Sequence, residues 1–225
     1  MAIERMTNKL LKNASYSICL VPMLIFLGYY YVRPFADSLC TNSASITSLK
    51  TAQKQNIGMA ASRINGFILK PGMSFSFNNT VGPRVNDRGF VSAASYEGTG
   101  TGRTVGGGIC LVSSLLYKSA LEAGLSVVER TNHSRPIGSI EPGYDATVAY
   151  PRYDLKIANP TDEPVKFELT STGNEIRIEI RGRKKAGDIH LSRRFTQSSE
   201  TLSVVVERTQ DGRLTRISSD RYKIR

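Results

Sequence analysis

The chain has 225 residues, of which 40% are hydrophobic and 22% charged, a globular composition that excludes a wholly disordered or collagen-like protein. Three cysteines and two histidines exclude a disulfide framework, an all-cysteine zinc cage and a three-histidine metal site built from one copy. The formal net charge is +11, and residues 181–225 contribute +7 of it, from twelve Lys or Arg against five Asp or Glu. This basic C-terminal region predicts an anionic partner.

A stretch of twenty uncharged residues lies between Lys12 and Arg33. That length crosses a bilayer core as a helix, and tyrosines at positions 29–31 are typical of its end at the membrane–water interface. Basic residues precede the stretch, so the positive-inside tendency places the N-terminus in the cytoplasm and the rest of the chain outside. The alternative is a cleaved signal peptide, although no small-x-small cleavage pattern follows. We therefore favour a single-pass anchor, which argues against nucleic acid as the partner.

The pattern of residues divides the chain into five parts. They are a cytoplasmic tail (1–12), a transmembrane anchor (13–33), a juxtamembrane linker (34–45), a domain (46–170) and a basic, strand-rich C-terminal extension (171–225).

The order of helical and strand-like segments predicts an α+β fold. Apolar spacing predicts one helix within residues 46–68 and another after the glycine-rich loop 97–108. Short β-branched runs predict strands at 145–150, 153–157, 165–170 and 175–180, followed by a hairpin within 202–217. We expect helices packed on a mostly antiparallel sheet that the C-terminal hairpin extends.

A cysteine at the start of the second predicted helix is the strongest local signal for chemistry. Residues 97–108 contain six glycines and lead into Cys110. Unpaired backbone N–H groups and the positive end of the helix dipole favour a thiolate at this position, and the same N–H groups can hold an oxyanion. The predicted oxyanion or substrate-binding positions are Gly106, Gly107, Gly108 and Leu111. The alternative is that Cys110 is a small buried hydrophobe.

A thiolate nucleophile needs a base, and His133 is the natural candidate because it lies in a polar turn and titrates near neutral pH. An ordinary exposed loop histidine is the alternative. His190 lies in the basic region without a polar constellation, and neither Cys19 nor Cys40 has a glycine loop. The sequence therefore predicts Cys110 and His133 as the catalytic pair.

A third group can orient the imidazole, and the sequence does not choose among the candidates. These candidates are Glu129, Asn132, Asp145 and Asp154. Ser134 and Arg135 follow the histidine directly and are predicted to bind substrate, since an arginine can hold a carboxylate through two hydrogen bonds. A solvated surface arginine is the alternative for Arg135.

Five motifs in one collinear order resemble the VanW domain family. They are PG with FSFN (71–78), VGPR (81–84), GGGIC with VSS and LLY (106–117), ERTNHSRP (129–136) and PGYDATV (142–148). The resemblance covers roughly residues 45–170, and residues 171–225 resemble the family's strand-rich extension more weakly. One position departs from the family pattern, because Leu111 stands where glutamine is common.

The resemblance implies a bacterial envelope protein, since VanW-like proteins take their name from glycopeptide-resistance gene clusters and have members linked to L,D-transpeptidase activity. It implies that Cys110 attacks peptidoglycan stem peptides with His133 as its partner and forms 3–3 cross-links. Such chemistry needs no metal and no organic cofactor. Two alternatives stay open. One is a non-catalytic envelope module that binds anionic wall polymer or scaffolds wall enzymes, and the other is hydrolysis of the same stems.

Overall fold

A computed structural model of the chain describes residues 33–97, 100–183 and 187–224, together with positions 22 and 28. The predicted anchor lies almost entirely outside the described residues, and Cys19 lies outside them. None of the helices that are described has both the length and the apolar character needed to span a bilayer.

Twelve strands, three α-helices and one short 3₁₀ helix make up the described part of the chain. In chain order they are β1 (Asp37–Ser45), α1 (Thr51–Ile64), β2 (Ile68–Leu69), β3 (Ser74–Ser76), α2 (Phe77–Val81), the 3₁₀ helix (Asn86–Arg88), β4 (Ser92–Glu97), β5 (Gly100–Val105), α3 (Cys110–Glu122), β6 (Ser126–Glu129), β7 (Lys156–Ala158), β8 (Val165–Ser171), β9 (Glu175–Gly182), β10 (Ile189–Gln197), β11 (Thr201–Gln210) and β12 (Arg213–Lys223).

The strands form four antiparallel sheets. The main sheet has the order β1-β9-β8-β2, a second has the order β3-β7-β6, and β4 pairs with β5 alone. The C-terminal strands form a separate sheet with the order β10-β11-β12. The expectation of an α+β fold with mostly antiparallel strands is confirmed, and the described residues contain few helices.

Several details of the expected fold are wrong. The C-terminal hairpin of β11 and β12 does not extend the main sheet. It forms a separate three-stranded sheet with β10. Residues 37–45, expected in a linker, form β1, and β9 of the predicted extension pairs between β1 and β8. The loop 97–108 contains β5, and residues 145–150 form no strand beyond a single bridge from Ala149.

Alternation along β8 and β9 explains why the main sheet has one apolar face. Phe167 lies opposite Ile180 and Leu169 opposite Ile178, and all four side chains are buried. Because side chains alternate along a strand, the intervening residues face the other way. They include the ion pair of Lys166 with Glu168. Helix α1 packs against β8, and α3 packs against β1 and β9, so both helices cover the apolar face.

An aromatic cluster fastens the second sheet to the main one. The rings of Phe67 and Phe75 lie 5.0 Å apart edge to face, and Phe75 and Phe167 lie 5.4 Å apart in the same arrangement. Such pairs contribute beyond the area they bury. Phe75 belongs to β3 and Phe167 to β8, so the cluster sets the relative position of the two sheets.

Replacing Phe167 by alanine is expected to lower the free energy of unfolding by about 3–5 kcal/mol, because it removes a fully buried ring and leaves a cavity. Urea denaturation followed by circular dichroism measures the change. The matched control is Thr170→Ala, at an exposed position on the same strand, which should change stability by less than about 0.5 kcal/mol. Equal effects of the two substitutions would contradict the assigned packing.

Candidate active site

Cys110 is the first residue of α3 and lies half-buried in the wall of a cavity of about 850 Å³. Its Sγ lies 3.8 Å from the backbone oxygen of Val148. His133 lines the same cavity, and Cys110 lies near enough to the imidazole to contribute to its raised pKa. The structure therefore brings together the cysteine and histidine that the sequence pairs.

The glycines before Cys110 are required mainly by packing within the protein. A Cβ on Gly107 would lie 2.4 Å from the backbone oxygen of Ala93 in β4. A Cβ on Gly106 would lie 2.8 Å from Cγ of Arg84, and Gly108 has a φ of +99°. All three glycines also line the cavity, so their predicted role at a substrate or oxyanion site stays a prediction.

Two backbone N–H groups at the start of α3 have no backbone acceptor among the described residues. The N–H groups of Gly106 and Gly107 donate to the backbone oxygens of Val91 and Thr104. Those of Gly108 and Cys110 donate to no other backbone group within the described residues. The next residue, Leu111, donates its N–H to the oxygen of Gly108, and its side chain is buried in the core.

His133 is held in place by Asp145. The His133 Nδ1 lies 2.8 Å from Asp145 Oδ2, and the His133 backbone N–H donates to the same oxygen at 2.6 Å. The histidine is 7% exposed and the aspartate 2% exposed, so neither exchanges this contact for water. Among the four candidates for the group that orients the imidazole, the geometry selects Asp145.

Burial on its own would lower the pKa of His133, but its hydrogen bond to Asp145 and the nearby Cys110 outweigh burial and raise that pKa to about 9. Burial on its own would raise the pKa of Asp145, and here too the contacts prevail. The hydrogen bonds from His133 and the charge of Arg130 hold the pKa of Asp145 below its ordinary value. An imidazolium therefore faces the sulfur, with a carboxylate behind it.

The C-terminal sheet completes the surroundings of Asp145. The Tyr222 hydroxyl on β12 donates to Asp145 Oδ1 at 2.5 Å. Burial, with the charge of Asp145, raises the pKa of Tyr222, so the phenol stays protonated and remains a donor. Arg130 donates to Asp145 Oδ1 at 3.0 Å and to Asp220 on β12. The Asp145 carboxylate thus accepts hydrogen bonds both from His133 and Arg130 and from Tyr222 of the C-terminal sheet.

The structure places the remaining predicted residues away from this centre. Glu129 pairs with Lys156 at 2.7 Å, and Asn132 donates to the backbone oxygens of its neighbour His133 and of Arg221. Asp154 is buried but accepts from the Ser76 hydroxyl, from the backbone N–H of Asn78 at the start of α2, and from the backbone N–H of Leu155. None of the three orients the imidazole.

Ser134 and Arg135, predicted to bind substrate, are exposed and do not line the cavity. The backbone oxygen of Ser134 instead accepts a hydrogen bond from the N–H of Lys223. The two residues after His133 are therefore outside the lining of the cavity, which the chain joins again at Ile137. Their assignment as substrate-binding positions is not supported by this placement.

The second described cysteine is placed unlike Cys110. Cys40 lies in β1, is buried, and donates its thiol to Glu122 Oε2 at 3.0 Å. Burial, with the neighbouring carboxylate of Glu122, raises the pKa of the Cys40 thiol, which makes it a poor nucleophile. Across the described ranges, no group of three or more His, Cys, Asp or Glu side chains could hold a metal ion.

Sequence reasoning missed three residues of the site. Arg84 lies in the motif VGPR and lines the cavity, and Arg130 lies in ERTNHSRP beside the histidine. Both arginines belong to motifs that the sequence shows, but the spacing of a motif does not predict which of its side chains lies at the site. Tyr222 lies in the C-terminal extension and carried no signal.

The fold and the cavity define an α+β domain with a Cys–His–Asp arrangement at a helix start. The family model described as "VanW like protein" matches residues 52–181, which is more than half of the chain. The chain belongs to the VanW-like family, so the resemblance carried by the five motifs is confirmed.

Two known proteins are similar to the chain over its central part. The uncharacterized protein YoaR of Bacillus subtilis (strain 168) is 33% identical over 133 residues, covering 59% of this chain and 44% of YoaR. The vancomycin B-type resistance protein VanW of Enterococcus faecalis (strain ATCC 700802 / V583) is 31% identical over 126 residues, covering 54% of this chain and 46% of VanW. The chain thus spans less than half the length of either relative. No solved structure matches it.

The raised pKa of His133 predicts that stability falls in alkaline solution. Because the folded pKa of about 9 exceeds the ordinary value of 6.5, the contribution is fully present below about pH 6.5 and is lost as pH rises through about 9. Relative to His133→Gln, the wild-type free energy of unfolding should therefore fall by about 3 kcal/mol across that window. Urea denaturation at a series of pH values measures this difference.

The matched control is His190→Gln, because this histidine lies on β10 with its side chain 73% exposed. If the free energies of unfolding of the wild type and His133→Gln change with pH in parallel, that result contradicts the ion pair of His133 with Asp145.

Proposed function

We propose that this protein is a membrane-anchored cysteine acyltransferase of the bacterial cell envelope, an L,D-transpeptidase that forms 3–3 cross-links between peptidoglycan stem peptides. The observation that carries the proposal is the proximity of Cys110 to His133, whose imidazole is fixed and kept protonated by Asp145 at the edge of a cavity. A cysteine, a base and a group that orients the base are the parts that nucleophilic acyl transfer requires.

The first half of the reaction is formation of a thioester. The Cys110 thiolate attacks the carbonyl carbon of the third residue of a donor tetrapeptide, and the C–S bond forms. The C–N bond to the terminal D-alanine then breaks, and the His133 imidazolium gives its proton to the leaving amine. The cationic form of His133 is favoured at neutral pH, so this proton is available before the substrate binds.

The second half transfers the acyl group to an amine. The neutral side-chain amine of the third residue of a neighbouring stem attacks the thioester carbon, and His133, now neutral, accepts a proton from it. The C–S bond breaks and the thiolate beside an imidazolium is restored. In both halves the N–H groups of Gly108 and Cys110 are the donors we assign to the oxyanion, since neither donates to a backbone oxygen of the described residues.

The size and lining of the cavity are consistent with a peptide substrate. Its volume of about 850 Å³ lies within the range of small-molecule sites and accommodates several residues of a stem peptide. Hydrolysis of the same stems uses the same nucleophile and differs only in the acceptor. Product analysis with and without an acceptor amine separates transfer from hydrolysis.

The expected location follows from the sequence rather than from the described residues. The uncharged stretch at 13–32, preceded by basic residues, supports a single-pass membrane protein with a cytoplasmic N-terminus and an external domain. The name of one relative, a vancomycin B-type resistance protein, supports a role at the cell envelope and a link to glycopeptide resistance. We propose both for this protein.

A non-catalytic envelope module is the second candidate, and the basic C-terminal sheet favours it. Arg213, Arg216, Arg221 and Lys223 are all exposed on β12. Such a row attracts anionic wall polymer or lipid, and its binding would weaken as salt increases. This surface is compatible with an enzyme too, since it can hold the domain near its polymeric substrate.

The test is incubation of full-length protein with tetrapeptide muropeptides, followed by mass spectrometry of the products. Wild-type protein should release D-alanine and form 3–3 cross-linked dimers, whereas Cys110→Ala should form none, because the thioester requires the sulfur. Asp145→Asn should reduce the rate by about two to four orders of magnitude, through loss of the oriented imidazolium.

The matched control is Cys40→Ala, which removes the other described thiol and should leave the product yield unchanged. Equal product from wild type and Cys110→Ala would refute the mechanism. Absence of product from both, together with salt-sensitive binding to isolated cell wall, would favour the binding module.

A further inference from the structure

A second cation lies in the wall of the cavity that holds Cys110 and His133. The stem of Arg84 packs against Gly106, four residues before the nucleophile, at a distance that leaves no room for a Cβ on that glycine. The guanidinium lies 5.9 Å from the ring centroid of Tyr150 and 5.5 Å from that of Phe77. Tyr150 lines the same cavity, so the charged group is held at its wall by two aromatic faces.

The hydrogen-bond partners of Arg84 among the described residues are neutral. Its Nη1 donates to the backbone oxygen of Gly82 at 2.8 Å, and its Nη2 donates to Asn78 Oδ1 at 2.7 Å. Its Nε is buried and has no partner, and within the described residues no carboxylate forms an ion pair with it. A guanidinium offers five N–H donors in a fixed fork, so most of its donor capacity is unused.

Burial, as the largest effect, lowers the pKa of Arg84 to about 10, which still leaves the group charged at neutral pH. Cys110 and the buried carboxylate of Asp154 both lie near enough to Arg84 to favour its cationic form. Asp154 acts on Arg84 through its charge but forms no ion pair with it among the described residues, and a largely desolvated cation without a direct ion pair is costly to the folded state. A cavity wall that retains such a group, clamped by Asn78, is suited to an anionic ligand.

We propose that Arg84 binds the free C-terminal carboxylate of the acyl donor, and that the site is thereby selective for peptides ending in an unblocked residue. This inference rests on the proposed function, since it names the substrate group that the same cavity recognises. In a tetrapeptide stem the terminal carboxylate lies next to the amide that breaks. A cation beside the nucleophile therefore meets that carboxylate when the scissile carbonyl reaches Cys110.

The proposal gives Arg84 a role different from that of His133. The imidazolium transfers a proton to the leaving amine. The guanidinium stays protonated at neutral pH, so it transfers no proton and acts only by binding the carboxylate of the donor. Release of the terminal residue removes the carboxylate from Arg84. In the thioester state that follows, the acceptor stem therefore enters a cavity in which this guanidinium has no anion. An acceptor that brings its own carboxylate is favoured for the same reason.

The test compares two donors that differ only in the terminal charge, a tetrapeptide stem with a free C-terminal carboxylate and the same stem as its C-terminal amide. The wild-type protein should favour the acid in kcat/KM by about 10- to 100-fold, the range expected for one charge-assisted hydrogen-bonding contact. Arg84→Met should lower that ratio to near one. Arg84→Lys, which keeps the charge and loses the fork, should retain an intermediate ratio.

The ratio for a single variant does not depend on how much of the protein is correctly folded, so partial misfolding of Arg84→Met leaves the comparison valid. A wild-type ratio near one, or an unchanged ratio in Arg84→Met, would overturn the proposal. If Arg84→Met slows alkylation of Cys110 by iodoacetamide and the ratio stays the same, Arg84 is a counter-ion of the thiolate instead.

Calorimetric binding of the two peptides to the Cys110→Ala protein separates this inference from the proposed function. If wild-type protein converts neither donor but the Cys110→Ala protein binds the acid more tightly than the amide, and the added Arg84→Met change removes the difference, the carboxylate site stands without the transferase. Equal binding of the two peptides, or no binding of either, would overturn the carboxylate site.

Discussion

The buried carboxylate of Asp145 is the group on which the site depends. It accepts hydrogen bonds from the backbone and the imidazole of His133, from Arg130 and from the Tyr222 hydroxyl. A buried anion without partners would take up a proton, and each of these donors opposes that. Because Asp145 stays ionised, the imidazole keeps its proton and its orientation towards Cys110.

The same carboxylate joins two parts of the chain that the sequence separates. His133 and Asp145 lie within the span matched by the family, whereas Tyr222 and Asp220 lie on β12, beyond residue 181. The C-terminal sheet therefore does more than present basic side chains to solvent. Its buried edge holds the loop that carries the imidazole, which links the stability of the extension to the geometry of the nucleophile.

The sequence predicted the features of the site that depend on local pattern and composition. The glycine loop ending at a helix identified Cys110, and the scarcity of histidines identified His133. It did not choose Asp145 from four candidates, because that choice depends on how the chain turns between 133 and 145. It also assigned β1 to a linker, since pairing with β9 across the chain leaves no local trace. Arg84 reaches the cavity through tertiary packing on Gly106, which no spacing records.

The most direct test of this account is NMR titration of the His133 imidazole in full-length protein, with its resonance assigned through His133→Gln. The account predicts a pKa of about 9 in the wild type. In Asp145→Asn, where burial remains and the carboxylate is gone, that pKa should fall by about two units or more. A wild-type imidazole that titrates at or below the ordinary value of 6.5 would contradict a protonated histidine beside the sulfur.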